Sequence, residues 1–264
     1  MAGLRAAWEA EHGPGSVVGL APSAAAAEVL AGELGIATEN TAKWLVEHRR
    51  LPALQSQRER LALSVARHPY SGSPHAAELR ARRDALERAI EERSLRWGQL
   101  MIVDEATLAG TLALDEIVTT ARHAGAKVLL VGDWAQMGAV EAGGAFSLLC
   151  RDRGEPVAEL TELRRFQADW EGAASLQLRL GDAAAIDAYE SHDRIEGGER
   201  LELLDALYTA WKADVDAGRS SLMIAADAAG VAELNRRARA GRVAAGLVTA
   251  QGVPIAGGAV AGVG

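Results

Sequence analysis

Disulfide chemistry is excluded from the start: the 264 residues contain one cysteine, Cys150, which has no intramolecular partner and suits a reducing compartment. Nowhere does the chain approach the roughly 18 consecutive apolar residues of a membrane-spanning helix. Its start, MAGLRAAWEAE, lacks the basic segment and cleavage site of a secretory leader. These absences predict a cytoplasmic protein with no membrane partner. Basic charge is also in short supply, with 28 Lys and Arg against 36 Asp and Glu, a net of −8. A surface that is phosphate-binding throughout is thereby excluded, and any nucleic-acid contact must be local. The six histidines have no metal-ligand spacing. No GxGxxG follows a first strand, since His12-Gly13-Pro14-Gly15 precedes one instead, and this removes the dinucleotide-binding oxidoreductases. Repeats and low-complexity tracts are absent beyond a bias toward alanine.

What remains is an ordinary soluble composition, 49% hydrophobic and 24% charged. The length exceeds the usual domain of about 150 residues, so one large or two modest domains are expected. Three apolar runs read as buried strands: Ser16 to Ala21 (SVVGLA), Leu100 to Val103 (LMIV) and Lys127 to Val131 (KVLLV). Pro22 opens an alanine-rich helix to about Leu34, Thr38 to Glu47 reads as a short helix, and another runs from about Thr111 to His123. Apolar strands alternating with helices predict an α/β fold with a parallel sheet covered on both faces, its ligands beyond the carboxyl ends of the strands. Residues from about 49 to 96, rich in Arg, Glu, Ala and Leu, read as a helical insertion broken at HPYSGSP. After Pro156 the pattern turns to Arg/Glu-rich helices, then a strand SSLMIA (220–225) and a helix over 228–243. A domain boundary is placed near Asp152 to Pro156, giving domains 1–152 and 153–264. Both ends read as interior segments: Leu4, Ala7 and Trp8 belong to a helix already under way, and the glycine-spaced end has no polar close. Truncation on both sides is the expectation.

Two strand ends carry acidic chemistry. LMIV delivers Asp104 and Glu105, a hard-oxygen ligand for Mg2+ followed by a carboxylate able to polarise an attacking water, although an exposed acidic turn reads the same way. KVLLV delivers Gly132-Asp133-Trp134-Ala135-Gln136, and a glutamine there can hydrogen-bond a terminal phosphate. Each signal alone is weak, but their order and spacing of about 29 residues are specific.

At these residues the chain resembles the motor of superfamily 1 DNA helicases of the RecD-like branch, as in the helicase portion of TraA/TrwC-type conjugative relaxases. LMIVDEATL resembles motif II, or Walker B, and VLLVGDWAQMGAVEAGGAF resembles motif III. GLAPSAAAAEVLAGELGIATENTAKWL is similar to motif Ia and the segment after it, LTELRRF to motif IV, and WEGAASLQLRLGDAAAIDAYESHDRI to the start of the second motor domain. The resemblance covers nearly the whole chain and is weakest over Arg49 to Arg93. It implies a P-loop NTPase, or RecA-like, parallel sheet with flanking helices plus the beginning of a second RecA-like domain. It further implies ATP and Mg2+ as cofactors and single-stranded DNA as partner, beside the relaxase domain and conjugation machinery of an intact protein. By position, Asp104 would hold Mg2+, Glu105 would be the general base, Gln136 would contact the terminal phosphate and Arg165, or its neighbour Arg164, would be the arginine finger. Pro22, Ser23 and Thr41 would face the single strand, and Trp134 would couple nucleotide state to the strand. Local readings compete: Ser23 equally suits a helix cap and Trp134 equally suits core packing. The run Arg236, Arg237, Arg239 and Arg242 reads better as a solvated helix face than as a DNA site.

The phosphate cradle GxxxxGK[ST] does not occur among these residues. By the resemblance, MAGLRAAWEAEHGPGSVV is the helix and strand that come after that loop, and motifs V and VI would lie beyond Gly264. The expectation is therefore a fragment of an ATP-dependent helicase or translocase that is inactive by itself. The alternative is a non-catalytic remnant or a DNA- or partner-interaction module.

Overall fold

A computed structural model of the chain describes residues 1–67, 74–152, 157–160, 162–164, 166–255 and 260–263. The chain divides into two compact units, Met1–Leu163 and Arg164–Gly264.

The first unit is built on four parallel strands: β1 (Val17–Ala21), β2 (Ala37–Asn40), β3 (Leu100–Val103) and β4 (Lys127–Leu130), in the order β2-β1-β3-β4. The helices are α1 (Ala2–His12), α2 (Ala24–Leu34), α3 (Thr41–Arg49), α4 (Leu51–Ala66), α5 (Pro74–Arg93), α6 (Thr111–Ala124) and α7 (Ala145–Asp152), with a 3-10 turn at Ala106–Leu108. All four residues of β3 are buried because it is covered on both faces. Met101 and Val103 join Leu20, Leu45, Leu114, Ile117 and Phe146 under α3, α6 and α7. Leu100 and Ile102 point the other way, joining Val17, Leu30, Leu34 and Ile36 under α2, with Trp8 of α1 alongside. The period-2 alternation of a strand thus feeds two half-cores. Helices meet them with faces of 3.6 periodicity: Ala27, Leu30 and Leu34 from α2, and Leu114, Ile117 and Ala121 from α6. Gly19 lets α2 sit close, since a Cβ there would lie 2.8 Å from Thr38 Oγ1 and 3.1 Å from Leu30 Cδ2. The predicted α/β fold, a parallel sheet flanked by helices as in a P-loop NTPase, is the one observed.

Two local expectations are corrected. The helix read from Thr38 begins at Thr41, and Ala37–Asn40 is instead a strand paired with Val18–Ala21. Its residues join through backbone hydrogen bonds rather than apolar side chains, and Asn40 then caps α3 by accepting from Lys43 N at 3.0 Å. Likewise Pro22 precedes the alanine-rich helix; Ser23 is its cap, accepting from Ala26 N at 3.1 Å. Helix α7 was not anticipated.

The second unit contains α8 (Asp169–Arg179), α9 (Ala184–Ser191), α10 (Arg200–Asp216), α11 (Ala228–Ala244) and an antiparallel pair, β5 (Gly252–Pro254) and β6 (Val260–Gly262). Helix α8 packs on α9 and α10 on α11. The strand expected at 220–225 is not formed: no strand among the described residues pairs with it, and Leu222 and Ile224 are 87% and 83% exposed. An apolar run supplies the side chains of a strand but not its hydrogen-bond partners. No helix among the described residues is long and apolar enough to cross a membrane.

Candidate functional site

The strand order contains a reversal. From β1 the chain steps outward to β2, then returns past β1 to β3 and on to β4. In such open sheets ligands bind beyond the carboxyl ends of the strands where the order reverses. Here that point lies between the ends of β1 and β3, whose residues Leu20 and Val103 are in register. Asp104 and Glu105 leave β3 at this point.

Their backbone is tightly held. Asp104 N donates to Leu20 O of β1 at 2.8 Å, and Ala106 N donates to Val131 O, just past β4, also at 2.8 Å. Between these anchors Glu105 adopts the left-handed conformation, φ 48° and ψ 44°, which costs a non-glycine residue roughly 1–2 kcal/mol. The flanking hydrogen bonds to strands on both sides offset that cost. Both acidic side chains are half-buried, and neither carboxylate has a hydrogen bond or ion pair among the described residues.

On the adjacent loop Asp133 organises the turn: its Oδ1 accepts from Ala135 N at 3.0 Å and its Oδ2 accepts from Gln136 Nε2 at 3.4 Å. Gln136 is exposed and Trp134 half-buried. The Trp134 ring packs against the core beneath α6 and α7, and the Arg151 guanidinium lies 5.0 Å from its centroid. Packing therefore occupies much of the ring expected to couple nucleotide state to the strand. Burial pushes the neighbouring Cys150 thiol above its ordinary pKa, so it is a packing group rather than a thiolate.

Pro22, Ser23 and Thr41 come together where β1 and β2 end. Thr41 Oγ1 donates to Ala21 O at 3.0 Å and Asn40 Nδ2 donates to Pro22 O at 3.1 Å. The hydroxyl proton of Thr41 is thus committed to the backbone, whereas Ser23, which accepts from Ala26 N, keeps its own. Lys43 is partnered by Glu39, whose carboxyl that contact holds below the usual range. Arg165 lies outside the described residues, and Arg164 is exposed in the second unit. On α11, Glu233 pairs with Arg236 and Arg237, and Arg237 also pairs with Asp205. Arg239 reaches Ala250 O at 2.7 Å. Three of the four arginines in that basic run are thus spent within the unit.

Sequence reasoning missed Thr107. It is 4% exposed and donates from Oγ1 to Asp133 O at 3.0 Å. The only signal was a hydroxyl residue two positions past Glu105 in an otherwise apolar stretch. A separate cavity of about 380 Å3, lined by His48, Arg49, Gln55, Ser94 and His123 among others, takes in none of the predicted site residues.

Comparison with known proteins places these residues in a family. The AAA domain model matches residues 1–200. The probable conjugal transfer protein TraA of Sinorhizobium fredii is 32% identical over 174 residues, 62% of this chain and 16% of the relative. The conjugal transfer protein TraA of Rhizobium radiobacter is 37% identical over 152 residues, 56% of this chain and 14% of the relative. That of Agrobacterium fabrum is 33% identical over 173 residues, 61% and 16% respectively. The chain spans 14–16% of the length of these curated relatives.

Proposed function

The chain belongs to the AAA domain family, and from that premise we propose that it carries part of the RecD-like helicase motor of a conjugative relaxase, which hydrolyses ATP to move along single-stranded DNA. The observation that supports this best is the pair of carboxylates, Asp104 and Glu105, without a partner among the described residues, at the reversal of the strand order and beside a loop that presents Gln136. The relatives' role in conjugal transfer supports a cytoplasmic motor working with a relaxase domain and the transfer machinery.

The residues present fit a magnesium–nucleotide site. Asp104 supplies one hard oxygen ligand, and no group of three His, Cys, Asp or Glu that could hold a metal occurs among the described residues. One carboxylate with phosphate oxygens and waters is how Mg2+ is commonly held. When bound, the ion neutralises charge on the terminal phosphates. Glu105 takes the proton from the attacking water as its oxygen bonds to the terminal phosphorus and the bond to the bridging oxygen breaks, releasing ADP. Gln136 hydrogen-bonds the terminal phosphate and reports its presence. Arg165, or Arg164, neutralises charge that develops on the transferred group. Ser23 donates to the backbone of the single strand beside Pro22, while Thr41 holds that corner in shape and Trp134 relays the state of the loop. In this reading residues 1–152 are most of the first RecA-like domain, with the helices over 49–96 inserted, and 153–264 begin the second.

A second reading is a non-catalytic DNA- or partner-binding module. Two measurements separate the readings. The 264-residue chain is expected to show no DNA-stimulated ATP hydrolysis and no unwinding; turnover that Glu105→Gln abolishes would contradict this. A reading frame that continues upstream of Met1 into GxxxxGK[ST] supports the motor, and a stop codon or frameshift there supports the module.

A further inference from the structure

Two loops of the first unit carry separate parts of the proposed chemistry, Glu105 after β3 and Gln136 after β4, and the Thr107 hydroxyl joins them. We propose that Thr107 is a positioning residue whose hydroxyl, by donating to the Asp133 carbonyl, locks the turn bearing Glu105 to the loop bearing Gln136 so that the two respond as one body. The inference rests on the reading of those two residues as base and phosphate sensor.

The geometry leaves little freedom at this junction. Thr107 is buried, so its hydroxyl has no water to exchange for Asp133 O, 3.0 Å away. The same carbonyl accepts from Gln136 N at 3.2 Å, so one oxygen is shared between the β3 turn and the residue that carries the sensor. The Asp133 carboxylate then engages Ala135 N and Gln136 Nε2. A displacement of Thr107 is therefore passed through one residue to both the backbone and the side chain of Gln136. On its other side Thr107 is one peptide from Ala106, whose N–H is fixed on Val131 O and which follows Glu105 directly. Gly132 allows the two loops to close: a Cβ there would lie 2.9 Å from Thr107 Oγ1, 3.2 Å from Ala106 N and 3.3 Å from Phe146 Cε1. Valine in place of Thr107 would keep the shape and lose the donor.

Hydrogen–deuterium exchange on the 264-residue chain tests this without requiring turnover. In Thr107→Val the amides of Ala135 and Gln136 should exchange about tenfold faster, the scale expected for one lost hydrogen bond. Those of Met101 to Val103 and of α6 should stay within twofold of the unsubstituted chain. Thr107→Ser and Thr107→Ala both lack the methyl group and differ only in the hydroxyl, so they decide the matter even if the valine variant fails to fold. The serine variant should exchange at the loop at least fivefold more slowly than the alanine variant. Equal loop exchange in serine and alanine variants, or a valine variant indistinguishable from the parent, would overturn the proposal. Loss of the ATPase reading would not alter these rates, so the two failures remain separable.

Discussion

The two units of this chain spend their apolar residues differently. In Met1–Leu163 a central strand is buried on both faces, with Ile102 and Ile117 fully enclosed and a half-core on each side of the sheet. In Arg164–Gly264 the buried hydrophobics among the described residues are Ala174, Ala185 and Leu234, while Leu201, Leu222, Ile224 and Val253 are at least two-thirds exposed. Between α10 and α11 the ion pairs are Arg200–Asp227, exposed on both sides, and Arg237–Asp205, exposed at the aspartate, and exposed pairs contribute little. The difference teaches where rigid positioning is available. A site that depends on fixed carboxylates belongs at the edge of a sheet closed on both faces, and Asp104 and Glu105 are found there.

Core substitution should expose the contrast most strongly. Ile102→Ala, at a position closed on both sides, is expected to destabilise the first unit by about 2–5 kcal/mol, read as a shift of its denaturant midpoint. Ile224→Ala in the second unit should change stability by less than about 0.5 kcal/mol. Equal effects would remove the distinction between the units.

Capping gives a smaller effect. Ser23→Ala should cost the first unit about 1 kcal/mol through the lost bond to Ala26 N. Ser23→Asp, which preserves an acceptor, should restore most of it in the same melting experiment. A null result for Ser23→Ala would free the hydroxyl from its structural duty.

Acid should act on the second unit, and most gently. Hydrogen bonds from Arg200 and the Gly230 amide hold the Asp227 carboxyl at about 2, and Arg236 and Arg237 hold that of Glu233 at about 2. Both values are depressed by folding, so their stabilisation is complete above the ordinary carboxylate range and is lost as pH falls from about 4.5 toward 2. Circular dichroism through that window should show α10 and α11 loosening, and the Asp227→Asn variant should flatten the response. Because these groups are exposed, the change is expected to be small and weaker still in high salt.

Legibility in the sequence followed what each element depends on. Strands β1 and β3 were readable because burial on two faces demands an unbroken apolar run, and β4, a half-buried edge strand, because Val128 to Leu130 keep the same apolar run. Strand β2, ATEN, was not, because backbone pairing with β1 rather than side-chain pattern holds it in place. SSLMIA misled for the converse reason, offering apolar side chains without a partner strand. Within the site, Asp104, Glu105 and Gln136 were legible as residue types at strand ends. Thr107 was not, since its partner is a main-chain carbonyl 26 residues away that only the folded sheet brings near.

We propose Glu105 as the general base of an ATP-driven motor. The most direct test of this role is single-stranded-DNA-stimulated ATP hydrolysis by a protein that joins this chain to a segment carrying GxxxxGK[ST], compared with the Glu105→Gln variant of the same protein. Loss of about 100-fold or more in kcat, the scale of general-base catalysis, with nucleotide binding unchanged, is the predicted result. Hydrolysis that survives Glu105→Gln within a few fold would contradict the account.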